Sequence, residues 1–284
     1  MIRLAVASDA ETADRIRDPL ADRGIDVRPI ATSERTLFLS ESPRRDRFDV
    51  GYVYPGRLME GGVVDARLDV PWINGRAAVM RSRNKAETIA RLEAADVPVP
   101  ETAYVSNPID EAESRAVFER FDGPVVVKPN SATRGRGVVR VDDPDSFRGV
   151  IDYLDVLHDY RATGDRSYLV QEFLPGATDY RVMVIDGAYA GAVRRTGGGD
   201  PDRWKHNVHR GADATGTTPP ADLRAMAERT AAAMDLSLVG VDLLVAEERA
   251  VVTETNARPT IDEARKYEGD FYDRLARLVR ETAE

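Results

Sequence analysis

Val239-Gly240-Val241-Asp242-Leu243-Leu244-Val245-Ala246-Glu247-Glu248-Arg249-Ala250-Val251-Val252-Thr253-Glu254-Thr255-Asn256 reads as two strands, 239–246 and 250–256, around a charged turn. With Glu247-Glu248-Arg249 as the loop, Asp242 and Glu254 stand equally far from residue 248 and face each other. Asn256 shares the face of Glu254, because side chains alternate along a strand. Two carboxylates and an amide then meet on a face whose other members, Gly240, Leu244 and Val252, are not polar. Hard oxygen donors without His or Cys suit Mg²⁺ or Mn²⁺ rather than zinc. The plain alternative is a solvated polar face, which antiparallel strands often carry.

Upstream, strands at 180–185 and 188–194 flank Asp186-Gly187, a strong type I′ hairpin signal, and 168–174 reads as another strand. Asp179 precedes Arg181 by two residues. It suits either a ribose diol or a simple ion pair with Arg181 or Arg194. Strands 125–128 and 137–141 bracket a Ser/Thr/Gly-rich turn holding Ser131, Arg134, Gly135 and Gly137. Backbone amides in such a turn can cradle phosphate oxygens while Lys128 adds charge. It is not a Walker loop, since no helix opening on Gly-Lys-Ser/Thr follows. A flexible hairpin with solvated arginines is the bland reading.

Residues 1–80 alternate strands (2–7, 25–30, 50–54, 70–73) with a helix at 10–23, a small parallel α/β unit. No G-x-G-x-x-G turn follows its first strand, which disfavours a dinucleotide site. Helices are expected at 84–95, with Asn84 and Glu87 as a capping box, and at 109–120, 146–157 and 221–234. The last, 270–281, sets Phe271, Leu275, Leu278 and Val279 on one face.

Only four of the 40 basic residues are lysine: Lys85, Lys128, Lys205 and Lys266. Where arginine serves for general charge, a retained lysine points to a need for a compact ammonium. Lys266 reads as an ordinary surface residue. The net charge of −9 and pI near 5.1 argue against general nucleic-acid binding. The chain has no cysteine, hence no disulfide, thiolate site or cysteine nucleophile. No apolar run approaches the ~20 residues of a membrane span, and no signal-peptide pattern opens the sequence. A cytoplasmic location is expected.

Several segments, in order over roughly residues 72–262, resemble the ATP-grasp superfamily and its RimK-like ligases. They are Trp72-Ile73-Asn74-Gly75, Arg83-Asn84-Lys85, Pro124-Val125-Val126-Val127-Lys128-Pro129 and the glycine loop to Gly137-Val138. Leu169-Val170-Gln171-Glu172-Phe173, Asp179-Tyr180-Arg181, Asn207-Val208-His209-Arg210-Gly211, Gly240-Val241-Asp242 and Glu254-Thr255-Asn256-Ala257 follow. Each is weak alone, whereas the ordered set is specific. The resemblance implies an α/β (α+β) ATP-grasp fold: an N-terminal α/β domain over 1–80, a central lobe over 81–165 and a C-terminal lobe over 166–284, the two lobes clamping ATP.

The same resemblance implies roles. Lys85 and Lys128 hold the α- and β-phosphates, and the loop with Ser131, Arg134, Gly135 and Gly137 closes as a lid. Gln171, Glu172, Phe173 and Leu174 present backbone groups to adenine, and Asp179 takes the ribose. Asp242, Glu254 and Asn256 bind two Mg²⁺ (or Mn²⁺). Arg195, Lys205 and Asn207 approach the transferred phosphate, and Arg210 meets the substrate carboxylate or acyl-phosphate. After Asn256 the chain departs from the usual Ser-Pro-Gly and reads Ala257-Arg258-Pro259-Thr260. Arg258 there can supply a cation to the acyl-phosphate or a second carboxylate.

The implied activity is an ATP-dependent carboxylate–amine ligase acting through an acyl-phosphate. Its substrates are a small acid and an amine, or a peptide or protein terminus; homo-oligomerisation is left open. Rival readings are a phosphotransferase on the same fold and a nucleotide-binding regulator without catalysis.

Overall fold

The computed structural model describes residues 1–7, 11–33, 36–40, 47–132, 135–157, 165–196, 213–247 and 249–284. Their apolar alternation is resolved into three sheets. β1 (Ile2–Val6), β2 (Ile25–Pro29) and β3 (Val50–Tyr52) pair in parallel in the order β2-β1-β3. α1 (Glu11–Ala21) turns Ala13, Ile16 and Leu20 into the core.

The strand expected at 70–73 does not form; Trp72 makes one isolated bridge to Gly51. A Cβ at Gly51 would lie 2.4 Å from the indole, so glycine is what lets the ring pack there. α2 (Leu58–Leu68) and α3 (Arg76–Arg83), which the sequence pattern does not predict, fill the space around it. Asp65 of α2 accepts hydrogen bonds from Tyr54 Oη at 2.9 Å and Trp72 Nε1 at 2.8 Å. Tertiary contacts of this kind stabilise helices whose own propensity is poor.

The second sheet is antiparallel, in the order β4-β7-β5-β6, from β4 (Thr102–Ser106), β5 (Val125–Pro129), β6 (Val139–Val141) and β7 (Ser167–Glu172). Val125, Val127, Val141, Tyr168 and Val170 pack against Phe118 of α5 (Glu111–Glu119) and Phe147 and Ile151 of α6 (Pro144–Leu157). Lys128 and Gln171 alternate with these residues and belong to the other face.

The third sheet, β10-β9-β8-β11-β12, is also antiparallel. It comprises β8 (Thr178–Ile185), β9 (Ala188–Thr196), β10 (Asp213–Thr217), β11 (Leu238–Ala246) and β12 (Arg249–Asn256). Asp186 and Gly187 both have positive φ, 49° and 71°, as the expected hairpin turn requires. α7 (Ala221–Met234) covers one face, burying Leu223, Met226 and Ala231 against Val182, Val239, Val241 and Leu243.

Packing does not follow the boundaries expected at 80 and 165. α3 and α4 (Lys85–Ala94) lie on α7 and β12 of the third sheet, and β7 completes the second. α8 (Phe271–Ala283) returns to α1, β1 and β3, with Phe271, Leu275, Leu278 and Val279 buried as their spacing demands. An apolar helix face settles where complementary surface exists, regardless of distance along the chain. Among the described residues no helix is long and apolar enough to cross a membrane.

Candidate functional site

The β11–β12 hairpin closes over two residues, since Ala246 pairs with Arg249. Continued unchanged, that register would set Asp242 against Thr253. A bulge at Asp242/Leu243 admits Thr253 as an extra residue and brings Asp242 opposite Glu254. The expected pairing is present, but through a bulge rather than a three-residue loop. The bulge also removes Val252 from the face of Asp242; it pairs with Leu243 and is fully buried in the core below. Thr253 Oγ1 donates to the carbonyl of Asp242 at 3.3 Å.

Pairing between strands far apart in sequence completes a charged row. Arg181 of β8 lies opposite Asp242, and Arg195 of β9 lies opposite Asp179. Arg181 forks the Asp242 carboxylate, Nε to Oδ1 and Nη2 to Oδ2, both at 2.7 Å. Arg195 holds Asp179 at 3.0 and 2.6 Å and reaches Asp242 Oδ2 at 3.2 Å. The partner of Asp179 is therefore Arg195, not Arg181 or Arg194; Arg194 alternates outward and is exposed. Asp179, Arg195 and Asp242 are all buried.

Burial would raise the Asp242 pKa, but the charges and hydrogen bonds of Arg181 and Arg195 outweigh it and hold it at about 2. Asp179 moves the other way: burial raises it against the pull of Arg195, and the charge of Asp242 adds to the rise. The side chain of Glu254, next in the row, makes no hydrogen bond or ion pair with a described residue, although its charge acts on Lys85, Lys128 and Arg181. The Asn256 Nδ2 approaches Gly240 O and Asp242 Oδ2 at 3.5 Å each.

Two lysines meet this face from the other side. Lys128 is buried and its Nζ donates to the carbonyl of the bulge residue Thr253 at 3.4 Å, joining the second sheet to the third. Burial lowers its pKa to about 8, opposed by Glu254 and Asp242 and reinforced by Lys85. Lys85 opens α4 behind the N-cap Asn84, whose side chain accepts from Glu87 N at 3.1 Å. Its Nζ donates to Ala132 O and, at 3.4 Å, to Asn130 O, and burial lowers its pKa. Asn130 fixes this corner by accepting from Ala86 N at 2.9 Å and donating to Ser167 Oγ at 3.0 Å.

Ser131 is exposed, and Gly135 and Gly137 have φ of 64° and 71°. A Cβ at Gly137 would lie 2.7 Å from Pro129 Cγ, so this turn depends on glycine. Arg134, Lys205, Asn207 and Arg210 lie outside the described residues. A cavity of about 500 Å³ lies between this turn and α6, lined by Ala132, Arg136 and Gly137 of the turn and by Val150, Tyr153 and Leu154 of the helix; neither lysine lines it.

β7 stops at Glu172, short of Phe173 and Leu174. Gln171 Nε2 donates to Thr102 Oγ1 at 2.7 Å, and Glu172 pairs with Arg249 at 2.7 Å. Arg140 stacks over Phe173, 4.4 Å from the ring centre. The N–H groups of Glu172 and Phe173 donate to the carbonyls of Glu101 and Pro124.

Arg258 lies against Gly56, where a Cβ would sit 3.0 Å from its Nη1, and Arg83 Nη1 donates to Gly56 O at 3.0 Å. The end of the β12 segment thus meets the loop after β3. Lys266, expected as a loose surface residue, is instead held to Asp262 at 2.7 Å with a side chain only 14% exposed.

Among the described residues no group of three or more His, Cys, Asp and Glu is poised to hold a metal. The available donors are Asp242 of β11 and Glu254 and the Asn256 amide of β12, hard oxygens on one face of the hairpin that fit Mg²⁺ or Mn²⁺. Sequence reasoning missed the Arg181–Asp242 pair, the Thr253 carbonyl and Ser82, whose hydroxyl binds the β12 backbone. Their contacts join elements with no local sequence link, although Arg181 itself stood in the motif.

Comparison with known proteins agrees with this architecture. The family model for a RimK-like ATP-grasp domain matches residues 82–278. A probable alpha-L-glutamate ligase of Sodalis glossinidius is 33% identical over 193 residues, which is 67% of this chain and 61% of that protein. Another, from Shewanella halifaxensis, is 28% identical over 198 residues, 69% of this chain and 41% of that protein. The chain spans less than two thirds of the length of these relatives. Among solved structures, a D-cycloserine synthetase superposes with a TM-score of 0.76 at 21% identity, covering 99% of this chain and 100% of that one. D-alanine–D-alanine ligase from Bacillus anthracis, complexed with ATP, gives 0.70 at 16% identity, with coverage of 100% and 97%.

Proposed function

The chain belongs to the RimK-like ATP-grasp family, and from that premise we propose that it is an ATP-dependent ligase joining a carboxylate to an amine. The observation that carries the reading is the row Arg181–Asp242–Glu254, with Asn256 beside it, faced by Lys128 from the opposite sheet. Carboxylates for metal and buried ammonium groups for phosphate then occupy one cleft.

In this reading the acid's oxygen attacks the γ-phosphorus of ATP, ADP leaves, and an acyl-phosphate forms. The amine attacks the acyl carbon, phosphate departs, and the nitrogen loses a proton to give the amide. Asp242, Glu254 and Asn256 would hold Mg²⁺ or Mn²⁺, which supplies charge neutralisation to the phosphoryl group. Lys85 and Lys128 hold phosphate oxygens as compact cations, and Arg195 faces the transferred phosphate. The 131–137 turn covers the phosphates and excludes water from the acyl-phosphate.

Asp179 can take a ribose diol only by sharing its carboxylate with Arg195, for which its lone pairs suffice. With the N–H groups of Glu172 and Phe173 engaged, adenine recognition falls to Leu174 and to carbonyls of this segment. Arg258 stands where an acid substrate can meet both the β12 end and the loop after β3. Lys205 and Asn207 keep the role at the transferred phosphate, and Arg210 the role at the substrate carboxylate or acyl-phosphate, that the family resemblance implies.

The test is ADP release from Mg·ATP across pairs of acids and amines, with mass spectrometry of the product. Glutamate enters first because the curated relatives carry it in their names. An amide formed with stoichiometric ADP is the expected result. A stable phosphorylated product without amide would select a phosphotransferase, and nucleotide binding without turnover would select a regulator.

A further inference from the structure

Asp242 and Glu254 face each other, yet their surroundings differ. Both oxygens of Asp242 already receive N–H groups of Arg181 at 2.7 Å, and Oδ2 also meets Arg195 at 3.2 Å. Glu254 makes no such contact with a described residue. A bidentate guanidinium–carboxylate pair is among the stronger charge-assisted contacts. This one is poorly screened, because the Asp242 side chain is 10% exposed.

The charges around it point the same way. Lys85, Lys128, Arg181 and Arg195 are four cations set about the three carboxylates Asp179, Asp242 and Glu254. A divalent ion arriving alone meets one open carboxylate, one neutralised carboxylate and a cationic surround. A triphosphate reverses that balance by engaging the lysines and bringing its own negative charge. The Arg181 side chain is 25% exposed, against 10% for Asp242, so it is the more accessible member of the pair.

We propose that Arg181 makes metal loading conditional on nucleotide: its guanidinium occupies Asp242 until phosphate oxygens enter the site, and so keeps divalent ions out of the empty enzyme. The proposal rests on the reading of Asp242 as a metal ligand. Arg181 is a positioning residue that acts through Asp242.

The experiment measures Mn²⁺ binding to the whole chain by the EPR signal of the free ion, with no nucleotide and with a non-hydrolysable ATP analogue. Without nucleotide, Arg181→Gln is expected to bind Mn²⁺ at least tenfold more tightly than the parent, with Arg181→Lys between them. With the analogue, the difference closes. Nucleotide-free binding that is unchanged or weaker in Arg181→Gln overturns the proposal. General structural damage would weaken binding, the opposite sign. If Arg181→Gln fails to fold by circular dichroism, Arg181→Lys decides, with at least threefold tighter binding expected and no gain overturning the idea. Asp242→Asn separates the two levels. Loss of Mn²⁺ binding beside the analogue supports the metal assignment, whereas unchanged binding removes that assignment and the gating with it. Loss in Asp242→Asn with no gain in either Arg181 variant overturns the gating alone.

Discussion

The hydroxyl of Ser82 on α3 donates to the carbonyl of Thr255 at 2.8 Å and accepts the N–H of Ala257 at 3.0 Å, bracketing Asn256. One buried side chain outside the third sheet thus anchors the strand that carries Glu254 and Asn256. Ser82→Ala leaves the buried N–H of Ala257 without this partner, at a cost of about 1–3 kcal/mol. The expected outcome is a melting temperature lower by a few degrees and a raised KM for Mg·ATP, read by thermal melts and steady-state kinetics. Parent-like values for both would show that the strand end is held by other contacts.

Removing the two carboxylates is expected to have unequal structural effects. Both Asp242→Ala and Glu254→Ala should abolish ADP formation. Asp242→Ala also leaves Arg181 and Arg195 facing each other without the shared carboxylate, a loss on the order of 3–5 kcal/mol. Glu254 has no ion pair with a described residue to lose, only its attraction for the buried Lys85 and Lys128, so its replacement should destabilise clearly less than that of Asp242. Denaturant titration of the two variants checks the contrast; equal destabilisation counts against the charged row as drawn.

Lys128 makes stability depend on pH in a direction that can be worked out. Its pKa is lowered by burial from 10.5 to about 8 in the folded protein. Below pH 8 folded and unfolded chains both hold the proton, and the folded state carries the full cost of the buried ammonium. Between about 8 and 10.5 the unfolded chain binds more protons, so this group's contribution to stability rises with pH. Lys128→Met should therefore raise the melting temperature of the ligand-free protein at pH 7 while ATP turnover is lost. The gain should shrink as pH passes 8; a gain constant with pH would contradict the shift.

Arginine in place of lysine tests why lysine is retained. Lys128→Arg keeps charge but places a planar fork in a buried corner beside Thr253, and should raise the KM for ATP at least tenfold. Lys266→Arg keeps its pairing with Asp262 and should leave ATP kinetics within about twofold of the parent. Equal effects at the two positions would remove the case for a specific ammonium at Lys128.

Local pattern alone determined a good deal of this protein. Alternation determined the two hairpins, and turn chemistry the positive φ at Asp186 and Gly187; the Asn84 cap followed from its capping box and the buried stripe of α8 from helix periodicity. The ordered motifs determined the family. These features depend on residues close in sequence, whose geometry is set by backbone sterics and by a side-chain period of two or 3.6. The tertiary structure alone decided that Arg181 forks Asp242, that Thr253 bulges to restore the Asp242–Glu254 pair, that Ser82 anchors β12, and that α8 closes over the first sheet. Each of these joins segments distant in the chain. Register between non-consecutive strands and the site where a helix docks are set by burying complementary surfaces and pairing buried charges, and no local window of sequence contains both partners.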